Sequence, residues 1–204
     1  MTAAVSTAPA GATDRSRYSA VAIGFHWLIA ALIIGNIGLA WYFNTLKDAD
    51  QFAPVMLHKS IGITVLLLSI LRIGWRLINP APKLPDYVKG WQRLAAQATH
   101  VMFYILMLGL PLSGWAWASS SPLIKVHPTV LFGLVHWPAF PFPGLGSDQL
   151  HAARKTLGFT HKTLAKVAYA TIALHVAAAL KHQFIDRDDI VARMIPFLAR
   201  RRPA

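Results

Sequence analysis

Four long apolar stretches alternate with polar links along the 204-residue chain. They cover about residues 19–43, 54–77, 94–119 and 158–184. Each reaches the roughly 20 apolar residues that a helix needs to cross a bilayer. Trp41, Tyr42 and Phe43 close the first stretch, and Trp115 and Trp117 close the third, as interfacial aromatic belts do. Pro111 lies inside the third and predicts a kink near that end. Residues 44–53 form a short polar link and residues 78–93 a basic link with three prolines. Residues 120–157 form the longest link, rich in Pro and Gly. There Ser147 and Asp148 are placed to cap a helix that runs through Leu150, Ala153 and Leu157 into the fourth stretch and projects beyond the bilayer. The pattern predicts an all-α fold, an integral membrane four-helix bundle over residues 18–196. A disordered tail is expected at 1–17 and a basic tail at 197–204.

Composition agrees with a membrane protein, with 55% hydrophobic and 14% charged residues. The absence of cysteine excludes disulfides, thiolate-bound clusters and covalent thioether attachment of a cofactor. A net charge of +12 raises nucleic acid as a partner, but the basic residues flank the apolar spans and form no soluble basic face, so none is expected. Thirteen of the 20 Lys and Arg residues fall on the side of the termini and the second link, and seven on the other side. By the positive-inside rule both termini are cytoplasmic.

Histidine supplies the candidate chemistry. His161 and His175 are 14 residues apart on the fourth span, about 3.9 turns and about 21 Å of rise, so they share a face near opposite sides of the membrane. Buried ionisable groups are costly in a membrane and need a reason. With alternating helix directions, depth pairs His26 with His175 on the inner side and His58 with His161 on the outer side. Paired imidazoles from facing helices suit two non-covalent b haems. Zinc fits less well, because these sites lack a carboxylate and a water path.

Other groups frame these pairs. Arg72 is 14 residues beyond His58, on the same face at the inner level, where haem propionates need a cation. His100, near the inner start of the third span, either competes with His26 or His175 or supports a propionate. His182 is either a quinone or proton ligand or a plain interfacial histidine. His127, His136 and His151 are expected in water. Gly35, Gly38 and Gly62 admit either a flat macrocycle or a close helix contact.

These residues carry a resemblance. The pieces are Tyr18-Ser19 with His26-Trp27; His58-Lys59-Ser60-Ile61-Gly62; Arg72 with Trp75-Arg76 and Pro80; His100 with Pro111-Leu112-Ser113-Gly114; His161-Lys162-Thr163-Leu164-Ala165; His175 with Ala178-Ala179-Leu180 and His182; and Asp189 with Arg193-Met194-Ile195-Pro196. Over about residues 18–196 the chain resembles the bacterial cytochrome b-561 family, in particular its small four-helix superoxide oxidases. The resemblance implies a multi-pass protein of the bacterial inner membrane, with two b haems held by His26, His58, His161 and His175. It implies electron transfer from a periplasmic donor to membrane ubiquinone. The link over 120–157 is longer than in the smallest members, and a donor would dock on that surface.

The reading is therefore a superoxide:quinone oxidoreductase. Lys59, Lys162 and Lys166, with Lys125, Arg154 and Lys155, form either an anion-steering mouth over the outer haem or ordinary snorkelling cations. The alternative is a membrane-anchor cytochrome that exchanges electrons with a periplasmic redox protein. A non-redox haem carrier is disfavoured, because transport needs an open, exchangeable site.

Overall fold

A computed structural model of the chain describes residues 18–198 apart from 83, 84 and 86. The expected disordered tail over 1–17 and all but the first two residues of the basic tail lie outside the described residues.

The four apolar stretches become four helices: α1 (Ala20–Phe43), α2 (Phe52–Ile78), α3 (Gly90–Ser119) and α4 (Ser147–Leu180). All four are long and apolar enough to cross a membrane. Ser19 precedes α1 as its N-cap and accepts a hydrogen bond from the Ala22 amide at 3.2 Å. α3 begins four residues earlier than hydropathy suggests, and it continues through Pro111. The helix expected before the fourth span is continuous with it, giving one 34-residue element. Its cap differs from expectation: Gly146 is the N-cap, and its amide donates to the Gln149 side chain at 3.0 Å. Ser147 is already inside the helix, so its hydroxyl turns to Asp148.

Sequential helices pack as neighbours, α1 on α2, α2 on α3 and α3 on α4. The compact part of the core lies among the first three, where Ile29, Val65 and Met107 meet, packed by Phe25, Leu32, Ile33, Ile61, Leu68 and Phe103. Small polar residues let the helices approach. Ser60 and Ser69 are fully buried, and each hydroxyl donates to a carbonyl one turn back, Met56 and Val65 respectively. Many large side chains such as Leu67, Leu71 and Leu174 face outward, as lipid-facing surface requires.

The all-α expectation needs one correction. The long link contains a two-stranded antiparallel hairpin, β1 (Val130–Leu131) with β2 (Val135–His136). Its turn places Phe132 and Gly133 at φ 52° and 72°, a type I′ pattern closed by the Leu134 amide on the Leu131 carbonyl at 2.9 Å. Such a turn favours Asn-Gly, and a bulky residue in the left-handed region costs about 1–3 kcal/mol. The link is tied to the bundle by three bonds. The Phe132 amide donates to Ser60 Oγ (2.9 Å), the Phe140 amide to Ser119 Oγ (2.8 Å) and Trp115 Nε1 to the Pro138 carbonyl (2.9 Å); within the link, the Trp137 amide donates to the Thr129 carbonyl (2.9 Å).

At the other end, α4 passes into a π-helical turn (Lys181–Asp186), and Arg187 then reverses the chain in the left-handed region. The chain folds back under the bundle, where Trp27 Nε1 donates to the Met194 carbonyl at 2.9 Å.

Candidate redox site

A cavity of about 2370 Å³ runs through the bundle, lined from all four helices. At one end it meets Tyr18, Trp75 and Arg76, and at the other Lys59, Arg154 and Lys162. His26, His58, His100, His161, His175, His182 and Arg72 all line it. Lys166 does not, and its side chain is exposed. His127, His136 and His151 are exposed on the link and the start of α4, as expected.

The histidines meet as helix directions require. His26 of α1 and His175 of α4 have ring centroids 6.3 Å apart. His58 of α2 and His161 of α4 also stand 6.3 Å apart. The ring planes of the two pairs are inclined at 64° and 84°. His100 stands within electrostatic reach of His26, His175, Arg72 and Arg76, so it belongs to the His26 end. It makes no ring contact comparable to the His26–His175 pair among the described residues.

The His58 end is fixed through backbone carbonyls. His58 Nδ1 lies 3.3 Å from the Asn36 carbonyl, and His161 Nδ1 lies 3.0 Å from the Leu110 carbonyl. A carbonyl only accepts, so in both rings Nδ1 carries the proton and Nε2 keeps its lone pair. Ser113 Oγ sits 3.1 Å from the same His161 Nδ1 and donates to Leu110 at 2.9 Å. The His161 ring fits because residue 114 is glycine. A Cβ there would stand 3.0 Å from His161 Cε1 and 3.2 Å from Nδ1. Trp117 packs on the other flank, 5.9 Å from His161, and itself needs Gly158, where a Cβ would come within 2.9 Å of the indole.

The His26 end has different surroundings. Phe103 packs against His175 at 5.2 Å and Trp27 against His26 at 5.2 Å. Arg72 stands within electrostatic reach of Tyr104, His26, His100 and His175. Arg76 lies over the Tyr18 ring, 6.0 Å from its centroid.

Some expectations change in detail. Lys162 rests over the Trp117 ring at 5.7 Å, and half-buried Lys59 stands within reach of Arg154. Lys59, Arg154 and Lys162 are therefore the cations at the mouth, and Lys125, Lys155 and Lys166 are not among the lining residues. Gly35 and Gly38 serve neither suggested purpose, because a Cβ at either meets nothing within 4 Å and neither lines the cavity. Gly62 does line it, and a Cβ there would stand 3.9 Å from the Asn36 amide nitrogen. His182 Nδ1 is held by Asp188 at 2.7 Å and Asp186 at 3.3 Å, and Lys181 holds both oxygens of Asp186 at 2.7 and 2.5 Å. That ammonium already occupies the carboxylate, so the cluster is an ion-pair network at the helix end.

Sequence reasoning gave no site role to Asn36, Ser113, Trp117 or Tyr104. Asn36 was the findable one, as an amide in the middle of an apolar span whose buried Oδ1 has no partner among the described residues.

A membrane bundle with paired histidines facing one long internal cavity is the architecture of a cofactor-holding membrane protein. Residues 17–197 match the family described as prokaryotic cytochrome b561, and the chain belongs to that family. It is 35% identical over 183 residues to cytochrome b561 homolog 2 of Escherichia coli K12, covering 88% of this chain and 91% of that one. It is 30% identical over 187 residues to the probable superoxide oxidase CybB of Yersinia pestis, covering 88% and 96%. Cytochrome b561 homolog 1 of Escherichia coli K12 is 29% identical over 185 residues, covering 89% and 98%. Membership makes this a multi-pass electron-transfer protein of the bacterial inner membrane that carries b-type haem.

Proposed function

We propose that the chain is a dihaem superoxide:ubiquinone oxidoreductase, with one b haem held by His26 and His175 and a second by His58 and His161. The two opposed histidine pairs carry this reading. A metal–imidazole bond is roughly 2.0–2.1 Å and a ring nitrogen lies about 1.1 Å from its centroid, so two rings sharing one metal stand about 6.3 Å apart. Both pairs have that separation. The donor set agrees: His58 and His161 each give Nδ1–H to a carbonyl, the usual support of a metal-bound imidazole. The unpartnered Asn36 Oδ1 and the gap kept by Gly114 belong to the same compartment. When bound, haem supplies reversible one-electron carriage.

The chain's residues then divide the work. Lys59, Arg154 and Lys162 attract a small anion to the mouth at the His58 end, where a focused field raises on-rates by about 10–10³. Trp117 and Gly114 keep His161 in place there. Arg72 and Tyr104 offer a cation and a hydroxyl to the propionates at the His26 end, with His100 beside them. The overall balance is two superoxide anions oxidised to two dioxygen molecules while one ubiquinone takes two electrons and two protons. The positive-inside distribution supports cytoplasmic termini and a periplasmic Lys59 mouth. A relative named as a probable superoxide oxidase supports superoxide as the donor.

A second reading, a periplasmic redox protein as donor, rests on the length of the link and its exposed apolar residues Leu123, Val126 and Leu134. Stopped-flow spectroscopy of the purified protein separates the two. Superoxide should reduce the haem within the mixing experiment and added ubiquinone should reoxidise it. Haem that stays oxidised in superoxide excess rules out the favoured donor.

A further inference from the structure

We propose that the link's hairpin is an interfacial membrane anchor, with its Phe132–Leu134 tip seated in lipid of the leaflet at the His58 end. The argument begins with depth. α2 has 27 residues and a length of about 40 Å, close to a whole bilayer with headgroups, whose hydrocarbon core is about 30 Å. The hydrocarbon boundary therefore lies some 5–7 Å from each end of α2. Ser60 is eight residues past Phe52, about 12 Å along the axis, and so below that boundary. The Phe132 amide donates to Ser60 Oγ at 2.9 Å, which places the turn at the same depth.

At that depth the tip has no protein cover. Leu134 is 83% exposed and Phe132 54%, with Val135 beside them. Phe52 and Leu57, at the same end of α2, are also exposed. Lipid imposes a second condition, that non-helical backbone satisfy its polar groups within the protein. Two of the three tip amides do so, Phe132 on Ser60 and Leu134 on Leu131, and at the base Trp137 uses Thr129. The hairpin base carries the residues of a membrane interface, with Trp115 and Trp137 in edge contact at 5.8 Å.

Side-chain choice points the same way. A type I′ turn facing water favours Asn-Gly, whose amide side chain is solvated. Here the first position is Phe132, which accepts left-handed backbone while presenting an apolar ring outward. At the hairpin base, Thr129 is buried and lines the cavity. The link thus joins the wall of the His58 compartment to the lipid leaflet. This rests on the membrane bundle alone, not on the donor, and it takes the hairpin tip away from the surface open to a soluble partner.

The chain has no cysteine, so single nitroxide labels are clean probes. Leu134→Cys would be labelled in the haem-loaded protein in nanodiscs, and collision with dissolved oxygen and with a water-soluble nickel chelate measured. Leu67→Cys on the outward face of α2 gives the lipid reference, and Asp50→Cys in the short link gives the water reference. The expected result is an oxygen-favoured label like the one at 67, with nickel collisions several-fold below those at 50. Adding Leu134→Asp to a label at Phe132→Cys should raise nickel access at 132, because a carboxylate is expelled from hydrocarbon. Nickel access at 134 equal to that at 50 overturns the proposal. So does exclusion of both reagents, which would mean that a second copy or another protein covers the tip.

Discussion

Replacing Gly114 with alanine tests the histidine geometry through a single methyl group. The new Cβ would stand 3.0 Å from His161 Cε1 and 3.2 Å from Nδ1, inside ordinary contact distance. The ring must retreat by a few tenths of an ångström. Its retreat is limited on one side by Trp117, and it stretches Nδ1 contacts of 3.0 Å to Leu110 and 3.1 Å to Ser113. Disturbing such supporting contacts typically weakens metal binding about 10–100-fold, or roughly 1.4–2.8 kcal/mol. The loss should fall on one haem only, because His26 and His175 share no contact with residue 114. Gly109→Ala is the matched control: it lies on the same helix, but its Cβ would meet Leu164 Cδ1 at an ordinary 3.5 Å. Pyridine haemochrome counts and low-temperature spectra after detergent purification would read the result. The expected outcome is partial loss or a shifted band of one component in Gly114→Ala and none in Gly109→Ala. Two full, unshifted components in Gly114→Ala would refute the assignment of His161 as a ligand.

His26→Ala and His175→Ala should abolish the same spectral component, and His58→Ala and His161→Ala the other; a shared loss in His26→Ala and His161→Ala would mean that the pairing is wrong. Lys59→Gln with Lys162→Gln should slow haem reduction by superoxide at low salt, and the difference should shrink towards 0.15 M, where screening acts beyond about 8 Å. Lys166→Gln should leave that rate unchanged, since Lys166 does not line the cavity, and an equal slowing would show that net charge alone steers the donor.

How far the sequence could be read follows from what kind of interaction each feature uses. The four spans were legible because lipid demands about 20 apolar residues regardless of packing. The histidine pairs were legible because rise per residue and alternating direction set depth without any knowledge of contacts. The Nδ1 acceptors were not, since backbone carbonyls of Asn36 and Leu110 have no sequence signature. Gly114 could not be told from Gly35 or Gly38, because composition does not say which glycine faces a ring. Lys166 was misplaced for a geometric reason: five residues past His161 turns a helix about 140° away, whereas Lys162 reaches Trp117. The hairpin was missed because its turn is Phe-Gly, which lacks the Asn-Gly signal, within a segment dominated by Pro and Gly.

If each pair holds a haem, as proposed, the unequal surroundings of the two pairs set a direction for electron flow. At the His26 end the half-buried Arg72 guanidinium would favour the reduced, less positive iron and so raise the potential. A partly screened cation contributes on the order of 1–2 kcal/mol at an effective dielectric of about 20, or tens of millivolts for one electron. At the His58 end the Nδ1–H bonds to Asn36 and Leu110 would make both imidazoles stronger donors, which would favour oxidised iron and lower the potential. Lys59, Arg154 and Lys162 act in the opposite sense there, but from the mouth, where water and salt weaken them. The component lost in His175→Ala should therefore have the higher potential in the wild-type protein, and the gap should widen as salt rises. Arg72→Ala should narrow the gap by lowering that component alone. A redox titration in which the component lost in His58→Ala is the higher one would reverse the inferred direction. Equal shifts of both components in Arg72→Ala would show that Arg72 acts through the fold instead of through its charge.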